Sequence, residues 1–133
     1  MTVVVDASAL LASVTQVDAD GLWAESVIAG ERLVAPQMLP AECDNILRRM
    51  EIAGEIRPAE AAVAYRDVLD ANVELYSFAQ FAERVWQLRH NVTSYDAWYV
   101  ALAEWLGCPL VTVDLRLSRA SGPTCEILTP PTA

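Results

Sequence analysis

The chain has no lysine: its nine basic residues are all arginine, set against 18 Asp and Glu for a formal charge of −9. That absence excludes a Walker A phosphate loop, which needs a Gly-Lys-Ser/Thr run, and any Schiff-base lysine. It also excludes a phospho-accepting receiver domain, which needs a lysine beside its strand-end acids. There is one histidine, His90, so neither a Ser-His-Asp set nor a histidine-rich metal site is available; it reads as a surface or helix-end residue. The turn after the first apolar run is DASALLA, not the G-x-G-x-x-G of a dinucleotide-binding unit. Three cysteines, Cys43, Cys108 and Cys125, form an odd set without metal-ligand spacing and are expected as buried thiols in a reducing cytoplasm. No apolar run approaches the roughly 18 residues of a membrane span. Asp6 also interrupts the first apolar stretch too early for a signal peptide. The excess of acid argues against nucleic-acid binding through a bulk basic surface. A nuclease built on this chain has to neutralise its own site with metal and gather its arginines locally.

What is present is a chain of 133 residues, 54% hydrophobic and 20% charged, long enough for a core without disulfides. A single domain over residues 1–129 is expected, with residues 130–133 a short flexible tail. Apolar runs alternate with helical patterns, which predicts βαβ units and a mostly parallel sheet. Strands are expected near Val3–Val5, Leu33–Ala35, Val73–Tyr76, Leu110–Val113 and Glu126–Leu128. Helices are expected over Ala19–Ala29, Pro40–Ala53, Pro58–Ala71, Ala79–Arg89 and Ser94–Leu106, with a further helix beginning near Ala9. The Ser94–Leu106 segment is apolar nearly all round, which reads as a core helix or a subunit interface. Trp23 and Trp86 read as core residues or interface anchors.

Four acids recur in one structural context. Asp6 follows the strand VVV, Glu42 lies in the first turn of the helix in LPAECDNIL, Asp96 opens the helix after NVTS, and Asp114 follows the strand in PLVTVD. Parallel strands point their carboxyl ends to one edge, where the next helices start, so all four acids are expected on one rim. Each has an ordinary structural role: Asp6 and Asp114 as helix caps, Glu42 favoured by the helix dipole, and Asp96 completing a capping box with Thr93. Those roles do not explain four together. Two carboxylates about 4 Å apart repel by roughly 4 kcal/mol at an effective dielectric near 20. An all-oxygen set therefore calls for a hard ion, Mg²⁺ or Mn²⁺. Helix N-termini at the same rim offer N–H groups to phosphate, and the combination implies metal-assisted phosphodiester hydrolysis. Ser8 and Thr112 are candidates to hold a carboxylate or a bound water in place, although Ser8 also suits a helix cap and Thr112 suits a strand. Arg48, Arg49, Arg116 and Arg119 are the candidate phosphate contacts, against a plain reading as solvated helix-face charge.

At VVVDASALLA, LPAECDNILRR, TSYDAWYVALAEWLGCPLVTVD and LRLSRA the sequence resembles the PIN-domain proteins, and among them the VapC-type toxins of toxin–antitoxin pairs. The order and spacing fit from residue 2 to about residue 128. The resemblance implies a PIN-like three-layer α/β fold, with a twisted sheet of four to five strands flanked by helices. It also implies an Mg²⁺- or Mn²⁺-dependent endoribonuclease that cuts structured RNA, tRNA or rRNA. Asp6, Glu42, Asp96 and Asp114 match the acidic quartet, with Asp6, Asp96 and Asp114 as metal ligands and Ser8 and Thr112 at its hydroxyl positions. A homodimer and a cognate antitoxin that blocks the acidic site are implied as partners, with no membrane. Leu115 and Arg116 stand where some relatives carry a further acid, which leaves the number of metals open. Two other readings remain at this stage: a catalytically silent PIN-like RNA- or protein-binding module, and a nuclease acting on DNA flaps.

Overall fold

Val3, Val4 and Val5 are fully buried, and they form the middle strand of the sheet because β-branched side chains pack well where both faces are covered. In the computed structural model, which describes residues 1–132, this strand is β1 (Thr2–Val5). It is followed by β2 (Arg32–Pro36), β3 (Val73–Tyr76), β4 (Leu110–Val111) and β5 (Ile127–Leu128). The order across the sheet is β3-β2-β1-β4-β5, and every neighbouring pair is parallel. The expected mostly parallel sheet is thus wholly parallel among the described residues.

The flanking helices are α1 (Ala7–Thr15), α2 (Ala19–Ile28), α3 (Leu39–Ile52), α4 (Pro58–Asp70), α5 (Ala82–Gln87), α6 (Ser94–Leu106) and α7 (Leu115–Ser118). Helix α1 packs against α2, α3 and α4, whereas α6 lies against β1, β2 and β4 and carries α5 on it. The helices so divide into two groups about the sheet, as the period of their apolar residues requires. Helix α6 begins at Ser94 and ends at Leu106 as the sequence indicates: Thr93 caps its start and Gly107, at φ 65°, its end. Its residues Ala97 and Tyr99 to Ala103 are buried, but Trp105 is exposed.

Several expectations are corrected. Helix α1 starts at Ala7, not near Ala9, because Asp6 and not Ser8 is its cap: the Ala9 amide donates to Asp6 Oδ1 at 2.9 Å. The segment expected as one helix from Ala79 to Arg89 is a 3-10 turn at Ala79–Phe81 followed by the short α5. The single turn α7 is too brief to show periodicity and was not anticipated. Of the thiols, only Cys43 is buried; Cys108 and Cys125 are partly exposed, just ahead of β4 and β5. Trp23 packs partly buried against the core, and Trp86 is exposed beneath the Arg89 guanidinium. In the segment expected as a tail, Pro130 is buried and Pro131 and Thr132 are exposed; Ala133 lies outside the described residues. No helix among the described residues is long and apolar enough to cross a membrane.

Strand order runs from β1 outward through β2 to β3 on one side, and from β1 to β4 and β5 on the other. Connections that leave β1 and β4 in opposite directions open a crevice beyond their carboxyl ends, the place where open parallel sheets hold ligands. Val5 pairs with Val111 at that point, so the residues that follow, Asp6 and Thr112, face each other across the mouth of the crevice.

Candidate active site

Asp6 is only 8% exposed although charged side chains are seldom buried unpaired. Two bonds hold its Oδ1: the Ala9 amide and the Ser8 hydroxyl, which donates at 2.7 Å. The same Ser8 oxygen accepts from the Val113 amide at 3.3 Å and lies 3.4 Å from the hydroxyl of the fully buried Thr112. Thr112 Oγ1 in turn accepts from the Asp114 amide at 3.0 Å. The two hydroxyls therefore lace the end of β1 to the end of β4 and fix both aspartates with respect to the crevice. Asp114 caps α7, accepting from the Arg116 amide at 2.9 Å, and its Oδ1 is 3.4 Å from the Arg116 Nε.

Glu42 reaches the rim from the first turn of α3, and Asp96 from the first turn of α6. Tyr99, one helical turn beyond Asp96 and almost wholly buried, donates its hydroxyl to Glu42 Oε1 at 2.6 Å. Sequence reasoning did not single out Tyr99; its signal was a phenol in an otherwise apolar helix, since a buried tyrosine hydroxyl finds a partner. Asp96 donates its amide to Thr93 Oγ1 at 3.1 Å, the Thr93 half of the capping box that the sequence suggested.

The carboxylates sense one another. Asp6 is held above the ordinary aspartate range mainly by burial, with the Asp96 charge adding to it; hydrogen bonds from Thr112, Ser8 and Ala9 work the other way. Glu42 is raised by burial and by the charges of Asp6 and Asp96, against the Tyr99 bond. Asp96 is raised by burial and by Asp114, against Thr93 and Arg116. Burial and the neighbouring acids also push the Cys43 thiol up to about 12, so it is an inert core thiol and no nucleophile.

An uncompensated set of carboxylate oxygens fits a hard divalent cation by donor chemistry. Its geometry is open: among the described residues no three His, Cys, Asp or Glu side chains stand close enough together to hold an ion. The cause is visible in the partners. Glu42 is drawn to Tyr99, Asp114 to Arg116, and Asp6 to Ser8 and Ala9, which is how like charges settle when nothing positive lies between them.

The candidate arginines divide. Arg116 lies at the rim beside Asp114 and Asp96, and Arg119 ends the same short helix. Arg48 and Arg49 follow Glu42 by six and seven residues on α3, which sets them about 9–10 Å down the helix from the rim. Arg48 there lines a shallow depression together with Asp44 and Glu51. The structure does not bring Arg48 and Arg49 into the site.

Residues 3–123 match the PIN domain. Ribonuclease VapC9 of Mycobacterium tuberculosis is 40% identical over 129 residues, covering 97% of this chain and 98% of that protein. Ribonuclease VapC1 of the same organism is 40% identical over 126 residues, covering 93% and 94%. Among solved structures, VapC20 of M. tuberculosis, a sarcin-ricin loop cleaving toxin, superposes with a TM-score of 0.66 at 21% identity, covering 88% of this chain and 93% of that one. VapBC2 of Rickettsia felis, bound to a DNA fragment from its promoter, gives a TM-score of 0.66 at 13% identity, covering 97% and 98%. The chain belongs to the PIN-domain family and, within it, to the VapC group.

Proposed function

We propose that the protein is a divalent-metal-dependent endoribonuclease, the toxin of a toxin–antitoxin pair, acting on structured RNA (tRNA or rRNA) in the cytoplasm. The reading is supported by the mutual influence of the Asp6, Glu42, Asp96 and Asp114 carboxylates about the crevice between β1 and β4, in a chain 40% identical to named ribonucleases. Asp6, Asp96 and Asp114 are the residues that would hold Mg²⁺ or Mn²⁺. When bound, such an ion supplies an activated water and neutralises charge on the phosphate.

The chain's own groups have separate tasks. Ser8 holds Asp6 by its Oδ1, and Thr112 holds the backbone that carries Asp114. Glu42, gripped at Oε1 by Tyr99 and raised by burial, is the group poised to take up a proton near the reacting phosphate. Arg116, and more distantly Arg119, offer guanidinium forks to the RNA backbone.

An antitoxin partner is supported by the fold shared with VapBC2 and by an apolar groove of about 350 Å³ in which Val17 and Val63 are exposed beside the half-buried Val14 and Ile56. A homodimer is supported by exposed aromatic surface at Phe78 and Trp105, of the kind protein contacts cover. The test is cleavage of total bacterial RNA by the antitoxin-free protein with Mg²⁺, Mn²⁺ or EDTA, beside Asp96→Asn. A discrete fragment with 5′-phosphate and 3′-hydroxyl ends, dependent on metal and lost in the variant, is expected. A variant that cuts at the wild-type rate would remove Asp96 from the site, and metal binding without cleavage of any RNA would leave a binding module in its place.

A further inference from the structure

We propose that the cavity between the α5–α6 connection and α7 is a nucleotide subsite, which grips an RNA phosphate next to the one cleaved through Arg89, His90 and Arg116. The inference rests on the ribonuclease reading and extends it to residues that the acidic motifs do not touch.

The cavity has a volume of about 480 Å³ and is open to solvent. That falls within the range of small-ligand sites and suits about one nucleotide. Its lining includes the acids Asp96 and Asp114 together with Arg89, His90 and Arg116. In a chain of net charge −9, two of nine arginines and the single histidine meet at one cavity. The two arginines balance the two aspartates there, so the cavity is formally neutral within a strongly acidic chain, which eases the approach of a phosphate.

Arg89 is held ready for a ligand. Its guanidinium lies 4.3 Å from the centroid of the Trp86 ring, and its Nη1 donates to the Trp86 carbonyl at 2.8 Å. One of its five N–H donors is thereby used, and the rest of a fixed planar fork remains for phosphate. Arg116 is tethered by its Nε to Asp114 at 3.4 Å, which leaves its terminal nitrogens available. Asn91 and Thr93 line the same cavity and provide an amide and a hydroxyl for a base or sugar. The arginine forks so receive a neighbouring phosphate while the carboxylates address the scissile one.

His90 supplies the readout. Because it is the only histidine, its ring protons give one resolvable pair of signals in the proton NMR spectrum of the full chain. The metal-free protein is titrated with adenosine 3′,5′-bisphosphate at constant pH and ionic strength, with adenosine and a glutamate-rich peptide as comparators. A saturable shift of the His90 signals is expected with the bisphosphate and not with the comparators. Arg89→Ala and Arg116→Ala are each expected to weaken it roughly tenfold or more, the effect of losing one charge-assisted hydrogen bond. Both side chains are exposed, and an unchanged melting temperature certifies that the variants fold. No saturable shift, or one undiminished in both variants, overturns the subsite. So does an equal response to the peptide, which would make the cavity a seat for an acidic protein segment. RNA cleavage is scored separately. A silent His90 with intact cleavage removes the subsite and spares the nuclease, and a responsive His90 without cleavage keeps the subsite in a binding module.

Discussion

One carboxylate, that of Asp6, both starts a helix and stands at the mouth of the crevice, and the two roles conflict energetically. As a cap it satisfies an orphan amide of α1, a contribution of about 1 kcal/mol. As a buried anion beside Asp96 it has its folded-state pKa raised above the unfolded 3.8, and Glu42 and Asp96 are raised in the same way. The sign follows from proton binding. Between the ordinary and the raised pKa values the folded chain holds protons that the unfolded chain has released, so stability falls as pH climbs through that window. Without metal, these three groups are therefore expected to lower the melting temperature as pH rises from their ordinary values through the raised ones. Asp6→Asn keeps a capping oxygen and removes the charge. It should raise the neutral-pH melting temperature by about 2 °C or more and flatten the pH dependence, while abolishing cleavage. Mn²⁺ should likewise raise the melting temperature of the wild-type protein, through mass action. A calorimetric scan of both proteins across pH, with and without Mn²⁺, decides it; an Asp6→Asn protein no more stable than wild type would refute the charge conflict. The four acids were legible because each sits where a β-branched run stops or a helix begins, a local signal. The Tyr99–Glu42 bond was not, since its partners lie 57 residues apart and no local pattern links them.

At the level of elements, the strongest polar junction lies away from the carboxylates. Glu104 on α6 accepts from Arg84 of α5 at 2.7 and 3.0 Å, and from the amide and hydroxyl of Thr124 at 2.8 and 2.9 Å. Arg84 also donates to the Gly122 carbonyl at 2.9 Å, so one pair binds α5, α6 and the segment leading to β5. Burial alone would raise the Glu104 carboxyl, but the bonds from Arg84 and Thr124 outweigh it and hold the group below its ordinary value. Glu104→Ala strands a partly buried guanidinium and should cost about 2–4 kcal/mol by urea denaturation. The Arg84→Ala, Glu104→Ala double variant should cost less than the sum of the singles; strict additivity would show that the pair does not couple. Element existence was largely legible, all five strands and α6 in particular, because apolar runs and caps are local. The break of the Ala79–Arg89 segment into a 3-10 turn and α5 was not: Tyr76, Phe81 and Trp105 pack edge to face there, and that tertiary packing accompanies a departure from the local helical pattern.

On the scale of the whole molecule, the carboxylates come from positions 6, 42, 96 and 114, and the crevice exists only because β4 lies against β1. The site is thus a product of the complete sheet and of no single element. Loss of RNA cleavage and loss of tryptophan fluorescence on urea titration should share one midpoint, as a two-state domain of this size requires; activity that vanishes well before the core unfolds would mean a site softer than its scaffold. The fold class was readable from alternation alone, whereas the side on which β4 joins β1 is a long-range choice that no window of sequence displays.

The pairing of β4 with the first strand also has a meaning in time. A chain leaving the ribosome presents Asp6, then Glu42, then Asp96, but no edge of β1 is closed by β4 until Val111 has been made. Until then the nascent nuclease lies next to abundant ribosomal and transfer RNA without a crevice to cut it. The last acid follows directly on the strand that completes the crevice, so the site closes only after the segments bearing the other three acids have been made.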